Sequence, residues 1–349
     1  MSRSGVEDAG IPVIDISNPS SAVALQVLHA ASTFGFLFIK NDGMTIPPKD
    51  IEDMFELSRE FFKLPRELKA EYAIHSKRAG GNNRGWVSMQ GESLDPEGQK
   101  QGDPKEAFNI AESNPSLQPL PSPLSSSSPL ISRFQASCHT LCTNILALLG
   151  NALSIPSSHG GATWFATRHD QTLGPSGTIL RLLYYPSTTA PKDSQSIRAG
   201  AHSDYGSLTL LFRPPGNAGL EILKGDGSWG PVPVNPYPSA LSSPPILVNI
   251  GDLLSFWTSG TLKSTIHRVA FAGGEERYSI AYFCHPRDEV KLEAVPSKLI
   301  DEFGKSEEIV EEMERQKKTL GLEGSGNGVA LTAKEHLDRR LRVTYGLKE

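Results

Sequence analysis

Apolar residues recur along this chain with two different periods. Residues 22–34 and 51–62 carry them at helical spacing, the second stretch opened by Pro47-Pro48 and closed near Pro65, which predicts two support helices. From Phe134 to Leu153 the same spacing continues with no glycine before Gly150, as in a long central helix. Between about 164 and 286 it gives way to short β-prone runs such as Ser207-Leu-Thr-Leu-Leu-Phe212 and Ile246-Leu-Val-Asn-Ile250, separated by Gly and Pro turns. That is the pattern of a jelly roll. Helical spacing returns after Pro296: residues 306–318 are strongly charged, Gly321 to Gly328 reads as a flexible break, and Ala333 to Tyr345 as a closing helix. Residues 75–104, rich in Gly, Asn, Ser and Gln, and 113–129, rich in Pro and Ser, are expected to be loops. The expected architecture is mainly β with α, a double-stranded β-helix (jelly roll) core flanked by helices. Residues 1–163 form an N-terminal helical and strand region, 164–290 the core, and 291–349 a C-terminal helical tail.

Composition narrows the partners. A chain of 349 residues has ample length for a sizeable core. Its net charge of −5 offers no basic field for nucleic acid. Three cysteines, Cys138, Cys142 and Cys284, are a poor disulfide framework, and Cys138 and Cys142, one helical turn apart, read as buried thiols. The first eight residues lack the apolar centre of a signal peptide, and no apolar stretch is long enough to span a membrane. The expectation is a cytoplasmic protein that acts on a small-molecule substrate.

The chemistry is concentrated in the second half, in Ala201-His202-Ser203-Asp204-Tyr205-Gly206, Lys263-Ser264-Thr265-Ile266-His267-Arg268-Val269 and Arg277-Tyr278-Ser279-Ile280. Two histidines and one carboxylate without a fourth protein ligand suit non-haem Fe(II), which keeps positions open for O₂ and a co-substrate. Strand alternation is expected to aim His202 and Asp204 the same way. His267 joins them only if the fold returns a strand alongside the first, as a barrel does. The same spacing puts Arg277 and Ser279 on one strand face, where a guanidinium and a hydroxyl can grip a carboxylate.

These segments resemble the isopenicillin N synthase-like branch of the Fe(II)/2-oxoglutarate-dependent oxygenases. So do Ile11-Pro-Val-Ile-Asp15, Gly35-Phe-Leu-Phe-Ile39, Phe61-Phe-Lys-Leu-Pro65, Leu180-Arg-Leu-Leu-Tyr-Tyr-Pro186 and Gly219-Leu-Glu-Ile222, so that the likeness covers most of residues 10–290. The resemblance implies Fe(2+) held by His202, Asp204 and His267. It implies 2-oxoglutarate gripped by Arg277 and Ser279 with Tyr185 assisting, and O₂ as the oxidant. Leu183 departs from the asparagine that many plant members carry, which removes one co-substrate contact. Oxidative decarboxylation to succinate and CO₂ would accompany oxidation of an unactivated C–H bond, with hydroxylation the default outcome and desaturation or ring rearrangement possible in the same site.

Motif detail is similar to the fungal-type thymine hydroxylases and to secondary-metabolite oxygenases, and the resemblance implies substrate contacts from Asn83, Arg181, Tyr205 and Phe283. Such a set suits a planar heterocycle, Phe283 stacking while arginine and asparagine supply directional bonds. The alternative within the fold is an oxidase of the isopenicillin N synthase type, which needs no 2-oxo acid and would use Arg277 and Ser279 for a substrate carboxylate. A metal-free binding module would not keep all three ligands, and a zinc hydrolase would lack the downstream arginine and show a partnered general base.

Overall fold

The computed structural model describes residues 9–43, 45–95, 98, 101–112, 118–187, 195–216, 218–241, 243–272, 276–303, 306–322 and 330–345. The first half contains β1 (Val13–Ile14), α1 (Ser21–Thr33), β2 (Phe36–Ile39), α2 (Pro48–Phe62), α3 (Arg66–Ala70), β3 (Gly85–Val87), β4 (Glu106–Ala111), α4 (Ser128–Ala152) and α5 (Trp164–Arg168). The β-rich part follows with β5 (Ile179–Tyr185), β6 (Gln195–His202), β7 (Leu208–Phe212), β8 (Leu220–Leu223), β9 (Trp229–Pro231), β10 (Ile246–Ile250), α6 (Asp252–Trp257), β11 (His267–Ala272) and β12 (Arg277–Cys284). The tail supplies α7 (Lys298–Phe303), α8 (Glu307–Thr319) and α9 (Ala333–Tyr345). The helices expected from spacing are all present. β3, which pairs with β4, interrupts a segment expected to be loop throughout. Most of the Gly321–Gly328 break, and residues 113–117 of the second expected loop, lie outside the described residues.

Two sheets face each other. The major sheet has eight strands in the order β1-β2-β10-β7-β12-β5-β4-β3, and the minor sheet has four, β6-β11-β8-β9. The jelly-roll expectation holds, although the sheets stay open and do not close into a barrel. β1 to β4, from the first 163 residues, extend the major sheet on both of its edges.

Alternation along the major sheet gives it two apolar faces, and hence two cores. On the outer face Leu180, Leu182, Leu210, Ile280 and Tyr282 pack with α4, which contributes Phe134, Leu141, Ile145 and Leu149. The 25 residues of α4 span roughly 37 Å at 1.5 Å per residue, enough to back several strands. The inner face, with Phe36, Leu183, Tyr185 and Ala281, meets Ala199, Leu220, Ile222 and Val269 of the minor sheet. This second core is interrupted by polar side chains, and they form the site. Cys138 and Cys142 are buried, as expected, and so is Cys284; all three are free thiols.

Candidate active site

Ile179, Arg181, Leu183 and Tyr185 of β5 lie opposite Phe283, Ala281, Ser279 and Arg277 of β12. All eight line one cavity of about 110 Å³ between the sheets, because residues two apart share a strand face. Across the cavity, β11 pairs with β6 in the register His267↔His202, and the two imidazole centroids are 4.3 Å apart. The returning strand that the separated histidines require is therefore β11.

Asp204 reaches the same point by a different route from the one expected. β6 ends at His202, so strand alternation does not aim the carboxylate. Asp204 sits in the following turn, where Thr209 Oγ1 (2.6 Å) and Asn249 Nδ2 (2.7 Å) both donate to its Oδ2. Its free Oδ1 is left 3.9 Å from His202 Nε2 and 3.7 Å from His267 Nε2. The turn is held from below by the Asp252 backbone N–H, which donates to the Asp204 carbonyl (2.7 Å). It tolerates no bulk there: a Cβ on Gly251 would stand 2.2 Å from the Gly206 carbonyl oxygen.

The proton positions follow from the partners. His202 Nδ1 lies 2.7 Å from the Gly200 carbonyl and His267 Nδ1 lies 3.1 Å from that of Thr265. A carbonyl can only accept, so each Nδ1 carries the hydrogen and each Nε2 presents a lone pair. Burial, reinforced by neighbouring His267, pulls His202 down to about 4, which keeps it neutral near pH 7. For Asp204 burial pushes upward, but His267, His202 and the two side-chain donors outweigh it and hold the carboxyl below its usual value. Two imidazole lone pairs and an anionic oxygen, all within 4.8 Å of one another, converge on one point. That is the donor set of a divalent cation with open coordination positions. Among the described residues no other His/Cys/Asp/Glu group does this.

Because Asn249 and Thr209 orient the carboxylate, removing one of them should loosen the site without deleting a ligand. Asn249→Ala is expected to weaken Fe(II) affinity by about 10- to 100-fold, read by anaerobic metal titration.

Arg277 is 3 % exposed, yet its Nε and Nη1 have no hydrogen-bond partner. Its guanidinium carbon lies 5.0 Å from the centroid of the Tyr185 ring. Burial lowers its pKa, opposed by the interaction with Tyr185. A buried cation with two unused donors, facing a cavity beside the Ser279 hydroxyl, fits the carboxylate of a ligand.

The four residues expected at the substrate all line the cavity, but not all are free. Asn83 has left-handed backbone (φ 55°), and its Oδ1 accepts from Asn109 Nδ2 at 3.0 Å. Tyr205 is bonded through its hydroxyl to Thr344 and packed under the Arg340 guanidinium, 4.5 Å from its ring centroid. Burial pushes its phenol up to about 12. Phe283 presents a ring without polar obligations. Arg181, by contrast, is already paired: Nη1 donates to Glu92 Oε1 (3.2 Å) and Nη2 to Glu92 Oε2.

Sequence reasoning did not single out Glu92, Asp103 and Lys105, which lie in a polar stretch with no periodicity to mark them. Nor did it find the role of α9, whose Leu337, Leu341 and Tyr345 line the cavity. Asp252 ties that helix to the turn that carries Asp204, accepting from Ser203 (2.9 Å) and Ser264 (2.7 Å) and pairing with Arg340 (2.9 Å).

His285 follows β12 directly and also lines the cavity. Burial first, then His336 and His169, hold it near 3. His336 is fully buried with neither ring nitrogen hydrogen-bonded, and burial holds it near 4. Their folded pKa values lie below the unfolded value of about 6.5, so the unfolded chain takes up protons first. The stability they contribute is complete above pH 6.5 and is lost as pH falls toward 4. Each should cost about 1–2 kcal/mol between pH 7 and pH 5. Melting of the metal-free protein is expected to drop over that range, and to drop less in His336→Leu.

Comparison with known proteins agrees with this geometry. Residues 11–129 match the profile described as non-haem dioxygenase in morphine synthesis N-terminal, and residues 176–286 that of the 2OG-Fe(II) oxygenase superfamily. The UPF0676 protein of Schizosaccharomyces pombe is 35% identical, covering 96% of this chain and 93% of its own. Proline hydroxylase buaE of Petromyces alliaceus is 30% identical over 79% of this chain and 85% of its own. The chain belongs to the 2OG-Fe(II) oxygenase superfamily. Among solved structures, the full-length thymine hydroxylase of Neurospora crassa in complex with alpha-KG and 5-formyluracil is similar at 27% identity and a TM-score of 0.71, covering 99% of this chain and 100% of the other. This oxygenase is thus a 2-oxoglutarate-dependent dioxygenase that uses Fe(2+), 2-oxoglutarate and O₂ and oxidises a small organic metabolite. Among the described residues no helix is long and apolar enough to cross a membrane.

Proposed function

We propose that His202, Asp204 and His267 hold the Fe(II), that Arg277 and Ser279 with Tyr185 bind the far carboxylate of 2-oxoglutarate, and that the enzyme hydroxylates a small planar heterocycle or a related secondary-metabolite intermediate. The observation that carries the reading is Arg277, buried with two unused nitrogens in the cavity that the three converging donors also line. When bound, iron, 2-oxo acid and O₂ supply the oxidation, with succinate and CO₂ released and an oxygen atom delivered to the substrate.

The chain's own residues do the rest. Gly200 and Thr265 carbonyls fix the imidazole tautomers, and Thr209 and Asn249 occupy one carboxylate oxygen so that the other faces the metal. Arg277 and Ser279, two apart on β12, orient the co-substrate by a charge-assisted and a neutral bond. Asn83, Arg181, Tyr205 and Phe283 surround the substrate; Phe283 offers the face on which a planar ring stacks. Leu337, Leu341 and Tyr345 of α9 cover the cavity and keep water out. In this reading residues 1–163 act as scaffold, 164–290 as the oxygenase core and 291–349 as its closing tail. The protein works in the cytoplasm, where thiols such as Cys138, Cys142 and Cys284 stay reduced.

Support for the substrate class comes from the same Neurospora crassa thymine hydroxylase solved in complex with alpha-KG and thymine, to which this chain is 26% identical with a TM-score of 0.71. The test is succinate formation from 2-oxoglutarate in a panel of metabolites. Thymine or another small aromatic heterocycle is expected to accelerate it more than aliphatic amino acids or peptides do. Acceleration by amino acids or peptides alone would remove the planar-ring assignment.

A further inference from the structure

The cavity's formal charges are arranged in two self-cancelling sets. In the first, Asp204 and Arg277 cancel, and a divalent ion bound together with a doubly negative 2-oxo acid would add no net charge. The second set is a buried ion quartet on the substrate side. Glu92 accepts from Arg181 through both oxygens and lies 3.4 Å from Lys105 Nζ. Lys105 in turn donates to Asp103 Oδ2 at 2.7 Å. Asp103 Oδ1 accepts from the Gly200 backbone N–H (2.9 Å), which anchors the quartet to the strand that carries His202. All four side chains are nearly inaccessible, from 0 to 10 % exposed. Two anions meet two cations, and the Tyr345 hydroxyl of α9 closes over Glu92 Oε1 at 3.3 Å.

An arginine on a binding-cavity wall ordinarily recruits anions. Here both terminal nitrogens of Arg181 are committed to Glu92, and only Nε remains without a partner. Arg181 therefore offers a directional donor while its charge is cancelled. Bringing a further charge into such a site leaves it uncompensated in a low-dielectric interior, which is costly unless a counter-ion is released.

We propose that Glu92 is the specificity-determining residue of this enzyme: by neutralising Arg181 it restricts the substrate to molecules without net charge and rejects carboxylates and cations. This rests on the assignment of the Arg181 side of the cavity to substrate. It explains why a buried quartet is retained where an apolar wall would be simpler to fold. The Fe(II) and 2-oxoglutarate side keeps its own anion site at Arg277, so the two ends of the cavity differ in what they admit.

The test is calorimetric binding to the anaerobic enzyme saturated with Fe(II) and 2-oxoglutarate, using three ligands of one shape: benzamide, benzoate and benzamidine. Wild type is expected to bind benzamide at least about tenfold more tightly than either charged ligand, about 1.4 kcal/mol. Glu92→Gln frees the Arg181 charge and should bind benzoate at least about tenfold more tightly than wild type does. Arg181→Met leaves Glu92 in excess and should gain benzamidine instead. The opposite signs keep the test decisive if one variant fails to fold, since a hole in the wall would favour both charged ligands alike. Preference of wild type for the carboxylate over the amide in both the aromatic and the aliphatic pair, or a carboxylate-to-amide ratio unchanged for both pairs in folded Glu92→Gln together with no benzamidine gain in Arg181→Met, overturns the proposal. Valeramide and valerate run in parallel separate it from the planar-ring reading. Charge selection seen only with the aliphatic pair retains the role of Glu92 and removes the ring.

Discussion

Alanine at His202 or His267 is expected to abolish tight Fe(II) binding and 2-oxoglutarate turnover while the metal-free protein melts as wild type does. The reason lies in what each side chain does before metal arrives. Each imidazole makes one short side-chain bond, from Nδ1 to a backbone carbonyl, so its loss costs the apo fold little. With one of three ligands missing, the remaining pair cannot define an open three-ligand site. Asp204→Ala should remove the metal equally, but with a stability cost of about 1–3 kcal/mol, because the Thr209 and Asn249 donors lose their acceptor. Anaerobic Fe(II) titration, succinate release and thermal melting together read these outcomes. Wild-type metal affinity in any of the three variants would overturn the triad.

Arg277→Leu is expected to raise the KM for 2-oxoglutarate by about two to three orders of magnitude, since losing a buried charge-assisted pair costs roughly 3–5 kcal/mol and about 1.4 kcal/mol is tenfold. Fe(II) affinity should hardly change. The same substitution carries a second signature. It deletes a buried cation with two unpartnered nitrogens, so the ligand-free protein should melt no lower than wild type, the opposite of what a structural salt-bridge arginine would show. Ser279→Ala removes one neutral hydroxyl worth about 1 kcal/mol, and its KM effect should be correspondingly smaller. Oxygen consumption with substrate in the complete absence of 2-oxoglutarate, with Arg277→Leu raising the KM of that substrate instead, would replace this assignment by the oxidase reading.

Arg277 and Ser279 were legible in the sequence because their relation is local. Two residues apart in one strand, they share a face whatever the rest of the chain does. His202 and His267 were legible as a pair only on condition that a strand returned alongside, and β11 meets that condition in register. Asp204 joins the converging donors, but for a reason that local spacing did not supply. The strand stops at His202, and two side chains from β7 and β10 aim the carboxylate instead. Arg181 is the reverse case: its position was anticipated and its charge state was not, because Glu92 lies in a stretch without regular spacing.

Periodicity and motif spacing by themselves determined the class of elements, their order and the residue types suited to a metal and to a carboxylate. These are properties of backbone alternation, helical repeat and the chemistry of each side chain. Tertiary structure alone decided which distant groups share a low-dielectric cavity. It brought Asn249 and Thr209 onto Asp204, set Glu92 between Arg181 and Lys105, and placed Leu337, Leu341 and Tyr345 of α9 on the cavity wall. Charge balance is a sum over neighbours in space, and neighbours in space are fixed by the docking of sheets and helices rather than by separation along the chain.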